Sequence, residues 1–148
     1  MQVSPDKVVV ELGGTLRWEA RGGGCVGVTV RRPRKGRGVL VDVKGGRTLF
    51  TKCVLDGSLG DDGEAVVTIG GKGAEVLLEE TIIKGSESGW GVVMRNGAKL
   101  QIDASVVHEN AKGGINDVGG RGKIEFIGDR GRSRIQGGGM SEGWNVVT

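Results

Sequence analysis

Proline, cysteine, histidine and aromatic residues are all scarce in this chain, and long apolar runs are missing altogether. Two prolines and no Gly-X-Y period, against 31 glycines in 148 residues, exclude both a collagen triple helix and Pro-rich disorder. Two cysteines, Cys25 and Cys53, are too few for the disulfide framework of a small secreted domain, and their spacing fits no zinc motif. No stretch approaches the roughly 18 apolar residues of a membrane-spanning helix, and Val8 to Leu12 is too short for the apolar core of a signal peptide. The chain as it stands is therefore expected to be soluble, with no membrane partner, and its localisation is unknown.

What is present is short and punctuated. The apolar share of 36% is rich in Val and Ile, in runs of four or five residues bounded by Gly, Asn and Asp, the composition of strands and tight turns rather than helices. A length of 148 residues suits one domain. The formal charge of +3 is mild and names no partner by itself.

One stretch organises the rest. From Gly89 to Gly114 the chain reads Trp90 to Met94, the turn Arg95-Asn96-Gly97, Ala98 to Ile102, the pair Asp103-Ala104, Ser105 to His108, and a closing Glu109-Asn110-Ala111-Lys112-Gly113-Gly114. Similar units start at Val39, Ala65, Trp90, Ile115 and Trp144, with a looser copy at Val8, about 25 residues apart. Within the second run, Thr48/Phe50, Val76/Leu78, Leu100/Ile102 and Ile124/Phe126 alternate with polar neighbours, so they point inward. In the third run Cys53/Leu55, Thr81/Ile83, Ser105/Val107 and Ser133/Ile135 do the same. Trp18 takes an inward position matching Phe50, and Cys25 and Cys53, if both begin third runs, lie near one another as packed thiols. Strands this short bury an apolar face only by stacking on copies of themselves.

The expected fold is all-β: a parallel β-helix of about five coils of roughly 25 residues, three short strands per coil. Residues 1–148 form one domain, with 1–38 an irregular first coil and basic loop, 39–143 the regular coils, and 144–148 the start of a further coil. That unfinished coil suggests a piece of a longer protein, or an open edge satisfied by end-to-end or side-by-side self-association. A leucine-rich horseshoe is excluded by the missing Leu-x-x-Leu-x-Leu pattern, and helical repeats by the missing helical period.

Glycine followed by an aliphatic run, an alternating run, and then Ser105-Val106-Val107-His108-Glu109-Asn110-Ala111-Lys112-Gly113-Gly114-Ile115 resembles the right-handed parallel β-helix repeat of the pectin-lyase-like superfamily. It is most similar to the degenerate repeats of F-box and NosD-type β-helix proteins, over Val39 to Ile135. The resemblance implies a right-handed coil. It leaves function open, because the superfamily holds lyases, glycosidases and non-catalytic binding modules.

Candidate residues fall into four groups. Asp61 and Asp62 resemble the paired carboxylates of β-helix glycosidases, although a polar turn is the commoner use of such a pair and the superfamily's Gly-His-Gly and Arg-Ile-Lys patterns do not occur. His108, Lys84 and Asp56 occupy equivalent outward positions on successive coils, so they are expected to form one row, in which Lys84 and His108 join Asp61 and Asp62 as candidate catalytic residues, although a lone exposed histidine is more often a plain surface residue. Arg31, Arg32, Arg34, Lys35 and Arg37, with Arg130 and Arg132, make two basic insertions suited to an acidic polymer, though a solvated loop is the usual role of such a run. No aromatics interleave with these arginines, which argues against single-stranded nucleic acid. Leu40, Val66 and Val93 are read as an outward apolar stripe and a protein interface. No metal or cofactor is implied. The reading that follows is a non-catalytic binding or scaffolding module for a protein or an acidic polysaccharide, with a polysaccharide-active lyase or glycosidase as the alternative.

Overall fold

Strands of two to five residues recur in threes along the computed structural model, which describes residues 9–11, 14–18, 22–34, 36–58, 60, 63–136 and 146–147. In chain order they are β1 (Val9–Glu11), β2 (Leu16–Trp18), β3 (Gly24–Val26), β4 (Thr29–Arg31), β5 (Val41–Val43), β6 (Arg47–Thr51), β7 (Val54–Asp56), β8 (Ala65–Ile69), β9 (Glu75–Glu79), β10 (Ile82–Lys84), β11 (Trp90–Met94), β12 (Lys99–Asp103), β13 (Val106–His108), β14 (Gly113–Asp117), β15 (Lys123–Phe126), β16 (Arg134–Ile135) and β17 (Val146–Val147). One short 3-10 helix, Arg130–Arg132, interrupts the link from β15 to β16.

Each coil contributes one strand to each of three sheets. The first sheet runs β17-β14-β11-β8-β5-β2, the second β15-β12-β9-β6-β3 and the third β1-β4-β7-β10-β13-β16, with parallel pairing throughout. The chain is thus an all-β parallel solenoid. Parallel neighbours follow from the connectivity, because each strand meets its successor only after the chain has gone once round the coil.

Alternation sorts the side chains. In β6, β9 and β12 every second residue is buried, which sets Thr48, Val76 and Leu100 in one register column and Phe50, Leu78 and Ile102 in the next. Val30, Leu55, Ile83, Val107 and Ile135 form the matching column of the third sheet, all buried. The first sheet supplies Val41, Val67, Val92 and Ile115. Burying each such Val, Leu or Ile contributes about 1.5–3 kcal/mol, which no single three-residue strand could gather alone. Trp18 lies edge-on to Phe50, ring centroids 6.3 Å apart.

The corner between the second and third sheets is built from two repeated devices. Lys52, Glu80 and Ala104 adopt φ of 52°, 48° and 48°, a left-handed step that turns the chain from one sheet into the next. The residue after each one, Cys53, Thr81 or Ser105, then points its backbone N–H along the solenoid. Cys53 N donates to Thr81 Oγ1 at 3.3 Å, Thr81 N to Ser105 Oγ at 3.0 Å, and Ser105 N to Ser133 Oγ at 3.1 Å. The hydroxyls donate in turn to carbonyls, Thr81 Oγ1 to Phe50 O at 2.8 Å and Ser105 Oγ to Asp103 O at 2.8 Å. The small polar residues that open each third run thereby satisfy a buried backbone that turns away from its sheet.

Four expectations are corrected. Leu40 and Val66 are buried in the core at 0% exposure, and Val93 is buried at 1%, so the three make no outward stripe. The alternation breaks at the entry to the first sheet, where Leu40 and Val41, and likewise Val66 and Val67, are consecutive members of the core. Val93 registers instead with Thr68 and Asn116. Trp90 pairs with Gly113, not Ile115, so the last full copy begins two residues earlier, at glycines that offer no apolar signal. The looser copy at Val8 also shifts: β1 belongs to the third sheet, and the first-sheet strand of that coil is β2, with Leu16 opposite Val41. Trp18 stands in register with Val43 rather than with Phe50, and Cys25, not Trp18, pairs with Phe50.

Candidate binding face

The outer side of the third sheet carries two straight columns. Charged residues form one: Glu11 registers with Arg31, Arg31 with Asp56, Asp56 with Lys84 and Lys84 with His108. The row of Asp56, Lys84 and His108 read from the repeat is therefore real, and Glu11 and Arg31 extend it. The second column runs Thr29, Val54, Ile82, Val106 and Arg134. Val54, Ile82 and Val106 are half-buried aliphatics stacked about 4.8 Å apart, beside a line of charge.

Within the charged row Arg31 Nη2 meets Glu11 Oε1 at 2.9 Å, both side chains about half exposed. Asp56 Oδ1 accepts a hydrogen bond from Ser58 N at 2.9 Å. His108 Nδ1 lies 4.0 Å from Glu109 Oε1. Lys84 makes no ion pair among the described residues. Its ammonium stands on the face with a carboxylate row-neighbour, Asp56, that is already committed to its own turn.

Beside the row lies an open cleft of about 480 Å³ lined by Ser58, Gly85, Ser86, Glu87, Glu109, Asn110 and Ala111. These residues follow Asp56, Lys84 and His108 in three successive coils, so cleft and row are one surface. Asn110 anchors its floor: it is fully buried, and its Oδ1 accepts from Ser86 N at 3.0 Å, while Ser86 Oγ accepts from Gly89 N at 2.9 Å. Gly85 sits at φ 88°, and a Cβ there would come within 2.5 Å of Asp56 Oδ1 and 2.7 Å of Ser58 N. A side chain at that position would close the cleft between coils.

The other predicted residues do not join this surface. Asp61, Asp62 and Lys35 lie outside the described residues. Arg32 is fully buried and is no surface cation: its guanidinium donates to the carbonyls of Gly14 (3.3 Å), Arg37 (3.0 Å) and Gly38, tying down the loop that follows β4. Arg34 and Arg37 are exposed in that loop, and Arg132 is exposed in the link from β15 to β16. The two basic segments occupy different corners and are separated along the third sheet by β7, β10 and β13, roughly 19 Å of stacking, so they make two patches and not one. Of Arg130 only the backbone is described. Cys25 and Cys53 are free thiols, with Cys53 Sγ 3.2 Å from Cys25 O, and burial raises both above the usual thiol range. Among the described residues, no group of three or more His, Cys, Asp or Glu side chains is placed to hold a metal ion.

The aliphatic column is a functional feature beyond the sequence expectations, although the repeat carries its signal. Val54, Ile82 and Val106 each sit between two inward residues of a third run, so their outward direction follows from the same alternation that marked Leu55, Ile83 and Val107 as core. A second cleft, of about 530 Å³, opens on the outer side of the second sheet between Gly22–Gly24, Val26, Leu49 and Leu77.

A three-sheet parallel β-solenoid with a charged row beside an aliphatic column is the class of protein these features define. No protein-family model, curated protein or solved structure matches the chain.

Proposed function

We propose that the chain is a binding or scaffolding module whose working surface is the outer face of the third sheet, taking a protein partner. The observation that carries this reading is the register itself, which lines up Val54, Ile82 and Val106 beside Arg31, Asp56, Lys84 and His108. An apolar strip flanked by charges of both signs suits a protein surface, in which apolar contact supplies affinity and charge supplies orientation. No Phe, Tyr or Trp ring for sugar stacking stands among the described residues of either column.

The test is selection of a displayed random-peptide library on the immobilised chain. Binding clones should be lost on Ile82→Glu and retained on Leu49→Glu, which alters the outer side of the second sheet. Clones indifferent to Ile82→Glu would overturn the reading.

A second reading rests on Asp56, Lys84 and His108 standing in one register row beside the cleft. In it the chain is a polysaccharide-active or polysaccharide-binding relative of the pectin-lyase-like superfamily, acting on acidic polymers through Lys84 and His108. Unsaturated or reducing-end products from pectate or alginate, abolished by Lys84→Ala, would establish it. Absence of both products and binding would remove it.

A further inference from the structure

We infer that the partner seated on the third-sheet face is a second copy of this chain, laid face to face with its solenoid axis reversed. This rests on the reading of that face as a binding surface and names the occupant.

The order of charge along the row points to this occupant. Glu11, Arg31, Asp56 and Lys84 stand in consecutive register and read minus, plus, minus, plus. These four form an even, alternating stretch that is complementary to its own reversal, with His108 left one coil beyond the overlap. A two-fold axis parallel to the strands and passing between β4 and β7 sets Glu11 opposite Lys84 of the second copy and Arg31 opposite Asp56 of the second copy. The symmetry repeats both pairs, as an isologous interface requires. With the axes aligned and the rows superposed, each charge would meet its own kind, so the row selects one orientation.

Two details fit this arrangement. Lys84 has no ion-pair partner of its own among the described residues, and the reversed copy supplies it with a carboxylate. Arg31 already holds Glu11 at 2.9 Å, and a guanidinium has donors enough to take a second carboxylate from across the interface. The neighbouring column places Val54 against Thr29 of the second copy, so apolar contact continues beside the charges.

The experiment is sedimentation equilibrium of the wild-type chain over a wide concentration range, with Glu11→Lys, Lys84→Glu and the double variant Glu11→Lys/Lys84→Glu. Each single reversal should weaken dimerisation by at least about tenfold, because a like pair replaces an opposite pair twice. The double variant should restore it, since its row again complements its reversal. Thermal unfolding of each variant confirms that the fold persists. A wild-type chain monomeric at every concentration, single reversals without effect, or a double variant no tighter than the singles would each overturn the inference. If the chain is monomeric but peptide selection still depends on Ile82, only the second-copy inference falls. If neither dimer nor Ile82-dependent peptides appear, the binding-face reading falls with it.

Discussion

Thr81 donates its backbone N–H to the Ser105 hydroxyl at 3.0 Å, one coil further along the solenoid, and both residues are fully buried. The bond joins neighbouring coils at the left-handed turn between the second and third sheets, beside the backbone bonds from Glu80 N to Asp103 O and from Val106 N to Thr81 O, each 2.9 Å. Ser105→Ala removes the acceptor and leaves a buried N–H with none. It should cost about 1–3 kcal/mol of unfolding free energy. Thr81→Ser keeps the hydroxyl and loses only a methyl, so it should cost less. Urea unfolding of the two variants checks the order, and a Ser105→Ala chain as stable as wild type would refute the role given to the ladder.

The stacked core was legible because alternation repeats in register. Leu55, Ile83, Val107 and Ile135 announce the same inward direction four times over, and the structure buries all four. Corners were not legible in that way. Strict alternation sends Leu40 and Val66 outward at an entry where two consecutive residues in fact turn in, and Gly113 carries no side chain to count. The charged row of the candidate site could be read, since Asp56, Lys84 and His108 each follow a recognisable inward aliphatic. Burial of Arg32 could not, because arginine is an exposed residue by habit and the carbonyls it serves come from loops whose path no periodicity describes.

Arg32 gives the second prediction. Its guanidinium donates to the carbonyls of Gly14 and Arg37, at 3.3 and 3.0 Å, and to that of Gly38. Arg32→Met keeps much of the bulk but removes every donor, so these carbonyls lose a charge-assisted partner. A loss of about 2–3 kcal/mol is expected. Arg34→Glu, on an exposed side chain of the same loop, should stay within about 0.5 kcal/mol of wild type. Equal unfolding midpoints for the two variants would show that Arg32 does not hold the loop.

Glycines separate steric need from mere presence. Gly91 lies inside the first sheet, where a Cβ would press on the Val107 side chain and stand 2.7 Å from Asn110 Nδ2 and 2.9 Å from Gly114 O. Overpacking of this kind costs about 1–3 kcal/mol. Gly45 has nothing within 4 Å of its notional Cβ. Gly91→Ala should therefore be clearly destabilised. Gly45→Ala should be neutral or gain up to about 1 kcal/mol by narrowing the unfolded ensemble. Differential scanning calorimetry distinguishes them, and a neutral Gly91→Ala would mean that the coils can part at Val107 without cost.

On the outer side of the second sheet, Glu125 accepts from Gln101 Nε2 at 3.0 Å and meets Lys123 Nζ at 2.9 Å and Lys99 Nζ at 3.5 Å. The hydrogen bond from Lys123, reinforced by Gln101 and by the charges of both lysines, lowers its pKa from 4.5 to about 2. In the unfolded chain the carboxylate regains its ordinary value. The folded state therefore holds Glu125 ionised at a pH where the unfolded state has already bound a proton, and the contribution is present above about 4.5 and lost as the pH falls toward 2. Because the group is exposed to solvent and salt, the stability effect is small, and the titration itself is the better measurement. Carboxyl-detected NMR should place the Glu125 midpoint near 2 in the wild type and move it back toward 4.5 in Lys123→Met, with Gln101→Leu shifting it part of the way. A wild-type midpoint already at the ordinary glutamate value would mean that the four side chains do not hold this arrangement in solution, and that the second sheet carries separate surface charges where the structure places a network.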